Sequence, residues 1–166
     1  MDRRAVLAAL AAAAFLAGAA HAQEKSSVST QLAVGGEVQR ALTLTVEALR
    51  EIGKRKEFAR IGAYGGVRLV DVLDEADIRR DSPRALRRTY IVATATDGYQ
   101  GVFSWGELYN SPIGRGALVA VDRDGVPLRD GEGRFALVSL ADDKPGPRHV
   151  KWLHRIEVRR VPEAKE

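Results

Sequence analysis

Apolar residues recur along this chain at short, changing intervals, and the interval in each stretch assigns an element. Leu69, Val72, Leu73 and Ala76 fall at i, i+3, i+4 and i+7, which predicts a helix turning Asp71, Asp74 and Glu75 to water. Val46, Leu49 and Ile52 make a second helical stripe, with Thr45 as N-cap, Glu47 in the first turn and Gly53 as the stop. Residues 54–56 then form a cationic cluster just past that helix. Ser104 and Glu107 have the spacing of a capping box and open a short helical turn. Strand patterns cover residues 30–34, 90–95, 99–103, 117–121, 135–140 and 150–158, with Val38, Leu42 and Leu44 also extended. Turns are expected at Gly35-Gly36, Tyr64-Gly65-Gly66, Asp97-Gly98 and residues 122–125, and an exposed arginine-rich loop at residues 79–88. Many short strands with two or three short helices, not in strict alternation, predict a single α+β domain built on a mixed sheet, with its core over about residues 30–160.

The first 22 residues follow a different rule. Asp2, Arg3 and Arg4 precede an almost wholly apolar run over residues 5–20, and Ala20-His21-Ala22 supplies a small-x-small cleavage site. The run is shorter than the roughly 20 residues a bilayer span requires. Residues 1–22 are therefore expected to be a signal peptide, and residues 23–166 a periplasmic or secreted domain with no membrane span. Arg3-Arg4 fits both the general and the twin-arginine export routes.

Removing the first 22 of 166 residues takes away two arginines and one aspartate, leaving 24 basic and 21 acidic side chains and a net charge of +3. So small an excess argues against a nucleic-acid partner. The chain has no cysteine, which excludes disulfides, thiol nucleophiles, zinc–thiolate sites and iron–sulfur ligation.

Local motifs offer little catalysis. Beyond residue 22 the histidines are His149 and His154, and in one continuous strand they would face opposite sides, so no two-histidine metal site is expected. Gly131-Glu132-Gly133-Arg134-Phe135-Ala136 matches a dinucleotide fingerprint formally, but it precedes a strand and reads as a hairpin turn. The strongest binding candidate is Gly146-Pro147-Arg148-His149-Val150-Lys151, where backbone N–H groups of a loop and two cations could hold a phosphate. An ordinary loop with surface cations explains that spacing equally well.

The order of motifs resembles the sulfite-oxidase-type molybdopterin-binding domain. Leu32-x-Val34-x-Gly36, Leu42-Thr43-Leu44-Thr45-x-Glu47-x-Leu49 and Gly66-Val67-x-Leu69-x-x-Val72-Leu73 look like its opening and its helix after the cofactor segment. Asp97-Gly98-Tyr99, Asp124-Gly125-x-Pro127-Leu128 and Arg134-Phe135-x-Leu137-Val138 continue in the same order, and Val150-Lys151-Trp152-Leu153-x-Arg155-Ile156 ends it. The resemblance implies a molybdopterin cofactor contacted by Lys151 and Arg148, and the loop that carries them adds Gly146 and His149 to the expected cofactor-binding residues. It also implies a molybdenum-ligating cysteine between the first helix and the Gly-Val-x-Leu helix. In this chain that interval, residues 53–65, has none, so no cysteine-ligated molybdenum and no metal site are expected. Two readings follow: a nominal oxidoreductase that still holds a pterin, or a non-catalytic periplasmic module that docks to a redox or accessory partner. Mass spectrometry of the protein recovered from its host should find Gln23 at the N-terminus; an intact residue 1–22 segment would overturn the export expectation.

Overall fold

A computed structural model describes residues 28–163; residues 1–22, expected to be a signal peptide, and Gln23 lie outside the described residues. Along the chain run β1 (Leu32–Gly36), β2 (Leu42–Leu44), α1 (Val46–Arg55), β3 (Phe58–Ile61), β4 (Tyr64–Arg68) and α2 (Leu69–Ala76). Next come α3 (Pro83–Arg87), β5 (Thr89–Ala95), β6 (Gln100–Ser104), α4 (Trp105–Asn110) and α5 (Ile113–Gly116). The chain ends with β7 (Ala117–Arg123), β8 (Val126–Pro127), β9 (Ala136–Ser139) and β10 (Leu153–Arg160), after a 3-10 turn at Gly146–Arg148.

The strands form two sheets. One has the order β2-β1-β10-β5-β6; the other runs β3-β4-β7-β8, with β9 also paired to β7. β1 and β10 are parallel neighbours, Val34 opposite Ile156, so the two ends of the domain meet in the middle of one sheet. The other pairings are antiparallel. This is the α+β architecture that patterning implies, with α3 and α5 added to the expected helices.

α1 packs on β3 and β4, and α2 on β4, β7 and β1, so both sheets share one apolar core. The stripe on α2 reads as expected: Leu69, Val72, Leu73 and Ala76 are fully buried. Asp74 is exposed, while Asp71 and Glu75 are half-buried. Thr45 caps α1 by accepting the N–H of Ala48 at 3.2 Å, and the Ser104–Glu107 capping box opens α4.

Several expectations fail, most of them for a long-range reason. Gly53 does not end α1, which continues to Arg55 with residue 54 and 55 cations in its last turn. A Cβ at Gly53 would lie 3.1 Å from Phe58 and Val67, so this glycine permits close packing. Tyr64-Gly65-Gly66 is strand; a Cβ at Gly66 would collide with the Val119 carbonyl, and one at Gly65 with the Asp122 carboxylate. Residues 79–88 are not all loop, because Ser82 accepts the N–H of Ala85 and caps α3. Asp122 belongs to β7, not to a turn, and is buried.

Residues 150–158 are not one strand either. Val150 forms an isolated bridge with Leu137, and β10 starts only at Leu153 because Trp152 adopts φ +48°. A bulky residue in the left-handed region breaks strand alternation. The face assignment of His149 against His154 therefore does not apply, and His154 is simply half-buried on β10. Because Leu73 is completely buried among both sheets, Leu73→Ala should cost about 2–5 kcal/mol in urea unfolding; a loss well under 1 kcal/mol would mean that the helix is not part of the core.

Candidate functional site

The β9–β10 connection carries the sequence-derived candidates. Its 3-10 turn at Gly146–Arg148 leads into His149, and Val150 then locks onto Leu137 by two backbone hydrogen bonds of 2.8 and 2.9 Å. Lys151 and Trp152 follow before β10 begins. Gly146, His149, Lys151 and Trp152 face Asp97 and Tyr99 of the β5–β6 turn across a cleft of about 280 Å³.

Hydrogen bonds fix both walls of this cleft. The Tyr99 hydroxyl donates to the Pro147 carbonyl at 2.7 Å, joining the β5–β6 turn to the 3-10 turn. Asp97 Oδ1 accepts the Tyr99 N–H at 2.9 Å, so that carboxylate holds its own turn. The Trp152 indole N–H donates to the Asp130 carbonyl at 2.7 Å. The Trp152 backbone N–H donates to the Glu132 carbonyl at 2.8 Å, and its carbonyl accepts from Thr96 at 3.0 Å.

The two candidate cations have different surroundings. Lys151 is exposed at the cleft and makes no ion pair among the described residues. Arg148 is turned inward. Its Nε donates to Asp142 Oδ2 at 2.7 Å, its Nη2 to Asp142 Oδ1, and its Nη1 to Glu107 Oε1 at 2.9 Å. The guanidinium also lies 4.4 Å from the Phe103 ring centre. Hydrogen bonds from Arg148 hold the Asp142 carboxyl below its usual range. At Glu107 partial burial pushes up, but the Ser104 N–H and Arg148 outweigh it and bring the carboxyl down. Gly146, His149 and Lys151 are thus brought together, and Arg148 is spent on structure.

His149 sits edge-on to Tyr64, with ring centres 5.7 Å apart. Its Nε2 is buried and has no hydrogen-bond partner. Burial lowers its pKa below the ordinary 6.5, the Lys151 and Arg123 charges push the same way, and Glu132 opposes them. Behind the imidazole the Tyr64 hydroxyl donates to Glu132 Oε1 at 3.0 Å, and Arg123 lies 5.4 Å from the Tyr64 ring centre. Burial and then Glu132 raise the Tyr64 pKa. Sequence patterning missed Tyr64, Tyr99, Glu132 and Trp152; the Asp97-Gly98 turn was the one local signal that pointed at this wall. Glu132 also borders a wider depression of about 460 Å³ beside β8. Its rim is mostly the exposed tip of the β7–β8 hairpin, so the smaller cleft with pinned walls is the better site.

The interval that would supply a metal thiolate is the end of α1, β3 and the turn into β4. Arg60 in β3 donates to Asp122 Oδ1 at 3.1 Å, and Arg50 of α1 to Asp122 Oδ2 at 3.2 Å. The Asp122 side chain is only 2% exposed. No group of three or more His, Cys, Asp or Glu side chains able to hold a metal occurs among the described residues. With no cysteine in the sequence and Arg60 committed to Asp122, this region does not fit a molybdenum centre.

A family model described as "Oxidoreductase molybdopterin binding domain" matches residues 19–166. Among solved structures, the sulfane dehydrogenase SoxCD from Paracoccus pantotrophus is similar, with a TM-score of 0.58 and 19% identity over 80% of this chain. The match covers 39% of the SoxCD chain, and at this identity the likeness is one of fold. No curated protein matches the chain.

The lowered His149 pKa has a stability consequence. The unfolded chain binds a proton near pH 6.5, while the folded chain resists it, so stability is full above that pH and falls as pH drops through the window below it. His149→Gln should flatten this part of a urea-midpoint profile between pH 7 and about 5. An unchanged acid slope in the variant would show that the imidazole titrates as it would in water.

Proposed function

The chain belongs to the oxidoreductase molybdopterin-binding domain family, and from that premise we propose that it is an exported module that holds a phosphate-bearing pterin without cysteine-ligated metal chemistry. The observation that carries this reading is the position of Lys151. It is an exposed ammonium with no ion-pair partner among the described residues, at the mouth of a cleft with pinned walls. Beside it Gly146 leaves the 3-10 turn open, with no atom within 4 Å of where a Cβ would stand. An incoming phosphate can therefore approach the backbone closely.

Each residue has a distinct role in this reading. Lys151 supplies the charge, Gly146 the access, and neutral His149 a polar edge. Arg148 positions the other three from behind. When bound, the pterin would supply the ring and the phosphate that such a cleft recognises. The chain itself binds and orients. Export rests on the charged start, short apolar run and small-x-small site of residues 1–22. No helix among the described residues is long and apolar enough to cross a membrane.

The second reading, an accessory module that docks on a periplasmic redox partner, is favoured by the likeness to part of a longer sulfane dehydrogenase chain. Calorimetric titration with molybdopterin, kept anaerobic, separates the two. Lys151→Ala should remove a charge-assisted contact of roughly 1.5–3 kcal/mol, about a ten- to hundred-fold loss of affinity, with unfolding unchanged. Equal binding by both proteins would take Lys151 out of the site, and no binding by the wild type would leave the accessory reading.

A further inference from the structure

We infer that Trp152 and Tyr99 make this cleft selective for a planar heteroaromatic ring whose acid group is met by Lys151. The inference rests on reading the cleft as the ligand site and adds which part of a ligand the walls recognise.

Trp152 is the starting observation. Among the described residues the non-glycine positions with positive φ are Asp77, Asp124 and Trp152. Aspartate tolerates that region, whereas a bulky aromatic residue there is an outlier. The surroundings over-determine it: the backbone N–H, the backbone carbonyl and the indole N–H of Trp152 are all hydrogen-bonded. Gly133 packs so closely that a Cβ there would come within 2.8 Å of Trp152 Cα. Strained residues held in this way cluster at ligand clamps. Here the strain stops β10 short and leaves Trp152 lining the cleft instead of in strand register.

Across the cleft stands Tyr99, 45% exposed. Its hydroxyl is tied to Pro147, so the ring cannot swing away without breaking that bond. Two aromatic side chains fixed by their polar ends have little rotamer freedom left to lose on binding. Such rings reward a flat π-system and gain little from a sugar phosphate or a free oxyanion. The volume of about 280 Å³ lies just under the usual range of small-molecule clefts, roughly 300–1,000 Å³. It suits one fused ring system with its acid group, not an extended cofactor. The cations near the cleft are Lys151 within it and Arg123 behind Tyr64 and His149, so the acid group is drawn to the Lys151 side.

The test uses two probes, pterin-6-carboxylate and inorganic phosphate, on the mature chain. The sequence has two tryptophans, and the other, Trp105, is stacked on Tyr109 in α4, away from the cleft. In a Trp105→Phe background, pterin-6-carboxylate should quench the remaining indole fluorescence and phosphate should not. In calorimetry Trp152→Leu should weaken pterin-6-carboxylate about ten-fold or more and leave phosphate unchanged. Lys151→Ala should weaken both. Tyr99→Leu, at an exposed turn, gives the same comparison should Trp152→Leu fail to fold. Equal affinity for the two probes without quenching would overturn the ring selectivity and leave anion binding standing. Binding of neither probe would overturn both. A Trp152→Leu loss of equal size for both probes would make Trp152 a structural residue only.

Discussion

The candidate site depends on where one guanidinium is allowed to point. Arg148 is half-buried, and on the inner side of the β9–β10 connection it meets two carboxylates and a ring face. Such a group has no neutral form to retreat to, so in partial burial it must be paired. Asp142 and Glu107 satisfy it, and Glu107 is already committed to the capping box of α4. The connection is therefore fastened to the start of a helix some forty residues earlier. Once Arg148 faces inward, the backbone through His149 and Val150 follows, Val150 bonds to Leu137, and Lys151 is left outside. Removing one partner of a buried ion pair typically costs about 3–5 kcal/mol. Partial solvent access here puts the cost below that range, but the direction explains why the loop does not offer its arginine to a ligand.

A second ion-pair knot occupies the region that the family resemblance links to the metal ligand. Asp122 joins β7 to α1 through Arg50 and to β3 through Arg60. Its carboxylate fills the space beside Gly65, which is why β4 needs a glycine there. A soft metal would need a thiolate in this interval, and the chain instead spends Arg60 on a buried carboxylate. The Arg50 guanidinium also covers the Phe58 ring at 4.9 Å. The β3–β4 hairpin is held by charges and rings in the chain itself.

The elements that could be read from sequence are those whose causes are local. α2 follows from the spacing of four apolar residues, α1 from Thr45 at its start, and α4 from Ser104 and Glu107 three residues apart. Apart from α3, whose Ser82 cap is local, the misreadings concern residues whose role is set by distant neighbours. Glycine marks both turns and close approaches, and only Phe58, Val67, Val119 and Asp122 decide which applies at positions 53, 65 and 66. The same holds at the site. Lys151 looks like an exposed cation in sequence and is one. Arg148 looks identical to it, yet its partners lie 6 and 41 residues away. Trp152 looks like a strand residue because nothing near it in sequence announces the turn at residues 130–133 that bends it.

These constraints divide the chemistry. Two arginines that could have offered charge to a ligand or stood near a metal are consumed by the chain's own carboxylates, Arg148 by the partly buried Asp142 and Glu107 and Arg60 by the buried Asp122. His149 is kept neutral by burial and by the cations around it, so it adds hydrogen bonding but no charge at neutral pH. Lys151 is then the ammonium that faces the cleft, and an exposed single charge is screened by water and salt. Electrostatics alone would give weak, unselective anion binding. Discrimination must come from what the cleft has in addition, which is shape and two aromatic walls whose polar ends are already tied. The strain stored at Trp152 is intelligible on the same ground: about 1–3 kcal/mol of backbone energy, offset by three hydrogen bonds, holds Trp152 beside the exposed Lys151 at the cleft.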